Sequence, residues 1–492
     1  MRKENDPLQT WINREGMALV TDFYQLTMVT GYFKTGIHEK RVAFEYFFRD
    51  LPPHSGFAVF AGLEQMLDGV AALRFSGSDL AYLQDTLGFD RDVIEFLADF
   101  RPKLDIWAAP EGSVVFPHEP LARVEGPLAA AQFVETFILN ALNYPTLIAT
   151  KAARMCLAAE GDPVMEFGLR RAQGPDGGLG GARAAYIGGC AATSNVLAGR
   201  VFAIPVRGTM AHSWVMSHAS ELESFRAYAE IFPNAAVLLV DTYDTMKSGV
   251  PNAIKVFKEM RKKNPNVRAA VRLDSGDLAR LSKDAYRALT AAGFSDPQIV
   301  GSNDLDEDLI ADLKRQDAKI NSWGVGTHLI TSRDYPALGG VYKVVAVEED
   351  GTWAPRLKVA GNPEKTTDPD RKQAYRLFNA AGNPLADVLY PADSPAPRQG
   401  PVTGVDRKRF YEEYSFDAAR VEPLLIKVME KGKLKGQRPG LEQIRERAQA
   451  GINLLREEMK RLRNPDVYPV ILSPELAEIK KRLLKRSARR KT

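Results

Sequence analysis

The sequence predicts an α/β fold in which a parallel sheet is covered by helices. From about residue 163, short apolar runs alternate with helix-like segments such as 277–293. Continuous apolar strands separated by helices are typical of a parallel sheet that is buried on both faces. About seven such units suit either a (β/α) barrel or a doubly wound sheet. The candidate strands are PVMEFG, CAATSN, VFAIPV, AVLLV, RAAVRL, PQIVGS and NSWGVG.

The segments on either side of this region indicate a second α/β domain. A helix is predicted after Thr21 or Asp22, and the alternating run RVAFEYFFRDLP predicts a strand. Strand-like patterns return from GGVYKVVAVEEDG to YRLFNAAGNPLADVLY, and long charged segments after about 405 have the period of amphipathic helices. We therefore divide the chain into an N-terminal α/β part (1–145), the parallel region (146–338), a return to the first domain (339–405) and a helical C-terminal extension (406–492).

Composition and charge favour a cytoplasmic protein without a membrane or nucleic-acid partner. The 492 residues include 66 Lys and Arg against 62 Asp and Glu, and residues 473–492 carry eight of the bases and only two of the acids. The rest of the chain is therefore slightly acidic, unlike a general nucleic-acid binder. Cys156 and Cys190 lack metal-ligand spacing. The first residues lack an apolar signal segment, and residues 128–150 are too polar to span a bilayer.

Polar and charged side chains gather directly after the predicted strands. The carboxyl ends of parallel strands face one crevice, which is where ligands bind in such folds. Guanidinium groups bind carboxylate or phosphate, and aspartates bind sugar hydroxyls or the water shell of Mg²⁺, although a strand-end aspartate can also cap a helix. Without a Walker A or GxGxxG motif, the pattern predicts a site for a phosphorylated sugar or a similar anion. The residues are Arg170, Arg171, Thr209, His212, Asp241, Asp244, Arg272, Asp274, Asp277, Asn303, Gly326 and Thr327.

Eight motifs, in order, resemble the nicotinate phosphoribosyltransferase family. They are TDFYQLTM, FEYFFR, EFGLRRAQ, GTMAHSW, DTYDT, VRLDSGDL, GVGT and GGVYKVV, and the resemblance runs from about residue 17 to at least 435. It implies an irregular (β/α) barrel of about seven parallel strands that holds the active site, beside a split α/β domain, in a homodimer with shared active sites. It also implies synthesis of nicotinate mononucleotide and pyrophosphate from nicotinate and 5-phosphoribosyl 1-pyrophosphate, coupled to ATP hydrolysis with Mg²⁺, in the salvage route to NAD.

The resemblance further implies roles for individual residues. His212 matches the histidine that ATP phosphorylates, and Tyr24 matches an aromatic residue that stacks on the pyridine ring from the partner subunit. Which acidic residues hold Mg²⁺ is left open. The implied nicotinate-binding residues are Tyr24, Phe167, Arg170, Thr209 and Arg272; the implied phosphoribosyl pyrophosphate-binding residues are Arg171, Asp241, Asp274, Asn303, Gly326 and Thr327, with Lys343 as a further phosphate contact.

Several other functions compete with this interpretation. Nicotinamide phosphoribosyltransferase shares the barrel and the chemistry and is the nearest alternative. Quinolinate phosphoribosyltransferase is a shorter chain without the GTMAHSW context. A nucleic-acid-associated protein would have to rely on the basic tail alone. An aldolase-type barrel would need a strand-end lysine, and Lys343 in its YKVV context is predicted to lie outside the barrel.

Overall fold

The computed structural model describes residues 11, 16–359 and 366–489, and these form two compact units. Unit 1 combines residues 1–150 with residues 337–492, and unit 2 comprises residues 151–336. The start of the chain that was examined for a signal segment, and the last bases of the tail, lie outside the described residues. The four-part division of the chain stays a prediction.

Helices occur in both units, and 3₁₀ or π-helical turns add four short segments. These turns are Met17–Leu19, Tyr82–Thr86, Leu169–Arg171 and Thr245–Gly249. The helices are α1 (Phe23–Lys34), α2 (Leu63–Ala72), α3 (Gly77–Ala81), α4 (Arg91–Ala98), α5 (Leu128–Phe133), α6 (Glu135–Ala158), α7 (Gly174–Ile187), α8 (Val196–Phe202), α9 (His212–Met216), α10 (Glu221–Ile231), α11 (Val250–Lys263), α12 (Leu278–Ala291), α13 (Glu307–Arg315), α14 (Thr327–Ile330), α15 (Leu441–Leu454), α16 (Glu457–Lys460) and α17 (Pro474–Arg489).

Strands also occur in both units. They are β1 (Arg41–Phe48), β2 (Ala58–Val59), β3 (Asp105–Ala108), β4 (Val114–Val115), β5 (Ala122–Pro127), β6 (Val164–Glu166), β7 (Ala192–Thr193), β8 (Leu238–Leu239), β9 (Ala270–Leu273), β10 (Gln298–Gly301), β11 (Ser322–Val325), β12 (Gly340–Glu349), β13 (Thr352–Pro355), β14 (Lys372–Phe378), β15 (Pro384–Pro391), β16 (Gly400–Asp406), β17 (Glu413–Ala418), β18 (Arg420–Pro423), β19 (Ile426–Glu430), β20 (Lys433–Leu434) and β21 (Val470–Leu472).

Unit 2 contains a six-stranded parallel sheet in the order β7-β6-β11-β10-β9-β8. Its strands are apolar and almost fully buried, as Val271, Ile299 and Trp323 illustrate. Trp323 is accommodated in this interior because its indole N–H donates to Asp162 Oδ2 at 3.1 Å. The predicted parallel sheet covered by helices is therefore confirmed.

The third predicted strand, VFAIPV, is wrong. Its first two residues end helix α8, and Ala203 then adopts a left-handed φ of 59°, which stops the helix. Only Val206 pairs, through a single parallel bridge to Thr193. Among the described strands, β7 and β8 remain the edges of the sheet, so closure into a barrel is not confirmed.

Unit 1 contains two large sheets. The first is antiparallel, in the order β13-β12-β1-β5-β3-β19-β20, and β1 is buried at every residue after Arg41. The second has the order β17-β16-β21-β15-β14-β18, and its only parallel pair is β15 with β21. Helix α1 begins after Asp22, as predicted.

The prediction of a helical C-terminal extension from residue 406 is wrong in its first part. Residues 413–434 form four strands, and α15 and α17 supply the helices only after residue 440. In β17, Glu413–Ala418, the more exposed residues alternate with the less exposed ones. This period of two is typical of a strand with one solvated face. The charged residues of this segment masked that pattern in the sequence.

One base of the basic tail is an internal structural residue. The Lys480 ammonium group, in α17, is almost fully buried and donates to Asp368 Oδ1 at 2.6 Å and to the carbonyl of Arg407 at 2.8 Å. Burial alone would raise the pKa of Asp368, but the charges of Arg407 and Lys480 outweigh burial and hold that pKa far below its usual range. The ionised Asp368 therefore fixes α17 to the second sheet.

The helices give no sign of a membrane span. Within the described part of the chain, none combines the length and the apolar character that crossing a bilayer requires.

A buried ion cluster in unit 2 provides a test of the packing. Glu307 accepts from Lys151 at 2.8 Å and from Arg154 at 2.9 Å. Burial raises the pKa of Glu307, but these two cations outweigh it and leave the pKa lowered. We expect Glu307→Gln to destabilise unit 2 by about 3–5 kcal/mol, because it removes a buried counter-charge that Arg154 and Lys151 share, although Lys151 keeps its ion pair with Asp334 at 2.7 Å.

Thermal unfolding followed by calorimetry measures this effect. The control is Glu259→Gln, which removes a carboxylate paired with Arg226 where both side chains are about half exposed. That change should cost at most about 1 kcal/mol. Equal losses for the two variants would contradict the assignment of Glu307 as an internal counter-ion.

Candidate active site

A cleft of about 260 Å³ opens at the carboxyl ends of the parallel strands in unit 2. Loops that follow β6, β7, β9, β10 and β11 line it, as expected for a ligand site in a parallel α/β fold. The lining combines positive, negative, hydroxyl and aromatic groups. It consists of Phe167, Arg170, Arg171, Ser194, Gly208, Thr209, Met210, Ala211, Arg272, Asp274, Ser302, Asn303, Asp304, Gly324, Gly326 and Thr327.

Arg272 is held rigidly at the floor of this cleft. Its guanidinium donates to Ser302 Oγ at 2.8 Å, to Thr209 Oγ1 at 2.9 Å and to Asp274 Oδ1 at 2.7 Å. The side chain is only 15% exposed, so its charge is compensated mainly by Asp274. Because a guanidinium with fixed donors loses little freedom on binding, this arrangement presents an organised cation to a ligand.

Asp241 connects His212 to this cluster. One carboxylate oxygen of Asp241 lies 3.3 Å from His212 Nε2, and the other accepts from the Asp274 backbone N–H at 2.7 Å and from Ser275 Oγ at 2.8 Å. The Asp241 side chain is 2% exposed, whereas the His212 side chain is 40% exposed. A buried carboxylate therefore orients a solvent-accessible imidazole. His212 itself begins α9 after an extended loop, not directly after a strand.

The paired aspartates divide into two roles. Asp241 and Asp274 enter the hydrogen-bonded cluster, but Asp244 and Asp277 cap helical turns. Asp244 accepts from the N–H of Met246 and Lys247, and Asp277 accepts from the N–H of Arg280 at 3.0 Å. Capping, the simpler interpretation, thus holds for the second acid of each pair.

Phe167 forms an apolar wall of the cleft against Gly324. A Cβ atom at position 324 would lie 2.9 Å from the Phe167 ring, so only glycine lets the ring approach the strand. Arg170 and Arg171 follow Phe167 and are exposed. Among the residues that the structure describes, neither of them forms an ion pair or a side-chain hydrogen bond. Their charges are therefore available to an anionic ligand.

The loops after β10 and β11 also line the cleft. Asn303 adopts φ of 89°, a left-handed conformation that asparagine tolerates better than most residues. Gly326 precedes α14, and Thr327 is the first residue of that short helix. All three residues line the cleft, so the sequence placed them at the same site.

Two of the predicted site residues lie in unit 1. Tyr24, in α1, is 46% exposed, and burial together with Glu135 and Asp22 raises the pKa of its hydroxyl. Lys343, in β12, donates to Glu135 Oε1 at 3.0 Å, which gives this ammonium group a counter-ion of its own.

Sequence reasoning missed Ser194, Ser302 and Asp304, which also line the cleft. Ser302 directly follows β10, and its hydroxyl accepts from Arg272. Its position at the end of PQIVGS was a usable signal. Ser194 occupies the same place in CAATSN, and Asp304 follows Asn303.

The acidic residues suit Mg²⁺ only if the ion binds together with the phosphates of a substrate. Within the described residues, no three His, Cys, Asp or Glu side chains converge in a way that could hold a metal ion. Asp274 lines the cleft but already binds Arg272, and Asp304 is exposed there. Mg²⁺ is commonly held by one or two carboxylates together with substrate phosphates, and this donor set suits that mode.

The parallel sheet and its cleft are typical of an α/β enzyme that acts on a small molecule at strand ends. Comparison with known proteins specifies the family. Residues 19–143 match the N-terminal domain model of nicotinate phosphoribosyltransferase, residues 163–379 match the family model, and residues 371–480 match the C-terminal domain model.

Individual relatives agree with these matches. The nicotinate phosphoribosyltransferase of Bacillus subtilis is 45% identical over 94% of both chains, and the human protein of that name is 36% identical over 97% of this chain and 98% of its own. The crystal structure of human nicotinic acid phosphoribosyltransferase superposes with a TM-score of 0.84 at 34% identity, covering 94% of this chain and 99% of that one. The chain belongs to the nicotinate phosphoribosyltransferase family. The resemblance predicted from the motifs is confirmed, and the nicotinamide alternative is not favoured.

The uncompensated arginines of the cleft should dominate its affinity for anions. We expect Arg171→Gln to weaken pyrophosphate binding about tenfold and Arg170→Gln to weaken it less, because only Arg171 is expected to donate a charge-assisted hydrogen bond, worth about 1.5–3 kcal/mol, to a phosphate. Isothermal titration calorimetry with pyrophosphate measures the change. Arg207→Gln serves as control, since Arg207 is exposed but does not line the cleft. An Arg207 effect as large as that of Arg171→Gln would point to non-specific attraction.

Proposed function

We propose that this protein joins nicotinate to 5-phosphoribosyl 1-pyrophosphate and releases nicotinate mononucleotide and pyrophosphate, as a step in pyridine nucleotide salvage. Family membership and the composition of the cleft support this proposal. The observation that carries it is the placement of two uncompensated guanidinium groups, Arg170 and Arg171, directly after the Phe167 ring. A flat aromatic acid and a phosphorylated sugar need these two kinds of surface side by side.

The reaction needs alignment and charge neutralisation more than proton transfer. The pyridine nitrogen attacks C1 of the ribose, and the bond from C1 to the pyrophosphate oxygen breaks with its electron pair on the leaving group. The nitrogen is largely unprotonated near neutral pH, so no general base is required. Arg171 with Asn303, Gly326 and Thr327 would hold the phosphates, and Mg²⁺ bound with them would supply further positive charge.

The substrate carboxylate has a separate set of donors in this scheme. Arg170, Arg272 and Thr209 present guanidinium and hydroxyl groups within the same cleft as the ring of Phe167. Stacking on Phe167 would orient the pyridine, and the Asp274 carboxylate would meet ribose hydroxyls or the water shell of Mg²⁺.

In this proposal, His212 accepts a phosphoryl group from ATP as co-substrate. Its Nε2 faces the Asp241 carboxylate, so the proton of the neutral imidazole belongs on Nε2 and the lone pair on Nδ1. We assign Nδ1 as the atom that bonds to the γ-phosphorus of ATP while ADP departs with the electrons of the broken P–O bond. Water later cleaves the P–N bond. The added negative charge beside the cleft would reorganise the phosphate ligands and couple ATP hydrolysis to turnover.

A homodimer with shared active sites would complete the pocket. Tyr24 is an exposed aromatic residue on α1, and stacking of the partner subunit's Tyr24 on the free face of the pyridine would sandwich the ring opposite Phe167. The family resemblance likewise supports an irregular barrel built on the six parallel strands.

The function is tested by incubating the protein with nicotinate, 5-phosphoribosyl 1-pyrophosphate and Mg²⁺, with and without ATP. Mononucleotide formation should be faster with ATP. We expect His212→Asn to reduce kcat/KM in the presence of ATP to the value measured without it, because the phosphoryl acceptor is lost.

The matched control for that variant is His218→Asn. His218 lies in the same segment, but its Nδ1 lies 2.7 Å from the carbonyl of Trp214. It should keep ATP stimulation. Full ATP stimulation in His212→Asn would exclude the phosphohistidine, and absence of mononucleotide from the unmodified protein would exclude the proposed function.

Substrate choice provides a second test. An amide in place of the carboxylate leaves guanidinium charge without a partner, so we expect nicotinate to be preferred over nicotinamide by about tenfold or more in kcat/KM. Competition between the two pyridines at equal concentration measures this ratio. Equal efficiency would show that the arginines do not contact the carboxylate.

A further inference from the structure

A buried acid without a cationic partner lies directly beneath the aromatic wall of the cleft. Glu166 is the last residue of β6 and is only 1% exposed. None of the Lys, Arg or His side chains that the structure describes pairs with it. Burial is the main cause that raises the pKa of this carboxyl, against the hydrogen bonds that it accepts from Thr193 and Gly168.

The two oxygens of Glu166 join two loops that line the cleft. One oxygen accepts the N–H of Gly168, within the turn that carries Phe167 and the paired arginines, and the other accepts the Thr193 hydroxyl at 2.5 Å. Thr193 Oγ1 in turn accepts the N–H of Asn195 at 3.0 Å. The Glu166 carbonyl also accepts the N–H of Ser194 at 2.9 Å.

The turn after Glu166 has little freedom to move. A Cβ atom at Gly168 would lie 2.6 Å from Ile330 Cβ and 3.0 Å from Glu166 Oε1, and the Phe167 N–H donates to the Val325 carbonyl at 2.7 Å. The ring of Phe167 is thereby pressed against Gly324. The carboxylate supplies one acceptor oxygen to each of these two donors, the Gly168 N–H and the Thr193 hydroxyl.

We propose that Glu166 is a positioning residue, which clamps the loop after β6 to the loop after β7 and so fixes Phe167 and the arginines where the aromatic acid binds. This inference rests on the proposed function. Burying a carboxylate without a cation costs free energy. A turn that had only a structural role could form without a buried acid and so without this cost. Here the carboxylate is compensated by two donors, the Gly168 N–H and the Thr193 hydroxyl, which adjoin the cleft-lining residues Phe167 and Ser194.

The test targets the hydrogen bond between the Glu166 carboxylate and the Thr193 hydroxyl. Glu166→Gln keeps the size of the side chain but leaves one acceptor oxygen, and Thr193→Val removes the hydroxyl while keeping the shape. We expect each change to raise KM for nicotinate about tenfold, with kcat and KM for 5-phosphoribosyl 1-pyrophosphate changed less than about threefold. The double variant should be no worse than the more affected single variant, because both changes break the same bond.

Two further variants serve as controls. Thr193→Ser retains the hydroxyl and should restore most of the affinity for nicotinate. Thr150→Val removes an equally buried hydroxyl outside the cleft, one that accepts the Val59 N–H at 3.0 Å, and should lower the melting temperature without changing KM. If Glu166→Gln fails to fold, Thr193→Val and Thr193→Ser still decide the outcome.

The clamp is overturned if the folded variants bind nicotinate as tightly as the unmodified protein. It is also overturned if the variants only lower the melting temperature, as expected for Thr150→Val, or if KM rises for both substrates together with that loss of stability. The unmodified protein's own turnover reports separately on the proposed function, so a failure of that function is distinguishable from a failure of the clamp.

Discussion

The shared carboxylate of Asp241 is the constraint on which the candidate site depends. Its oxygens are divided between the His212 imidazole on one side and the Asp274 N–H and Ser275 hydroxyl on the other. Because Asp274 also binds Arg272, a continuous set of hydrogen bonds links a solvent-accessible imidazole to the organised cation of the cleft. A change of charge at His212 would therefore act on the cleft that we propose binds the substrate anions.

Under the proposed function, this linkage would explain how one site serves two reactions. Phosphoryl transfer to the imidazole and ribosyl transfer to the pyridine would use different atoms, but both would depend on the electrostatics of the same strand ends. The rigid floor formed by Arg272, Ser302 and Thr209 contrasts with the exposed and uncompensated Arg170 and Arg171. The first group is organised before binding, whereas the second has its charge compensated only when a ligand arrives.

The parallel sheet was predictable because its strands are continuous apolar runs that end in polar residues. Such runs can be recognised in a single sequence, because a strand that is buried on both faces is apolar at successive positions and not only at every second one. The prediction of a strand at the short third run, VFAIPV, was wrong because Ala203 and Pro205 interrupt it. Only the local backbone conformation reveals this interruption. The strands after residue 413 were not predicted, because their exposed faces are charged and few apolar residues mark the alternation that is typical of a strand.

The candidate site was predictable to the level of residue types but not of partnerships. Arg272, Asp274 and Asn303 were predicted from the sequence to lie together at strand ends. Spacing alone could not show that Asp241 orients a histidine whereas Asp244 caps a helical turn. Side-chain direction decides between these roles. Glu166 was hidden for the same reason, since its position next to Phe167 says nothing about the loop that its carboxylate reaches.

The central claim is that far-apart segments of unit 2 form one cleft for a pyridine and a ribose phosphate. A crystal structure of the protein with nicotinate mononucleotide tests it most directly. The account predicts the pyridine ring against Phe167 and the 5′-phosphate at Gly326 and Thr327, with Asp241 still contacting His212. A mononucleotide bound away from this cleft, with these residues unchanged, would contradict it.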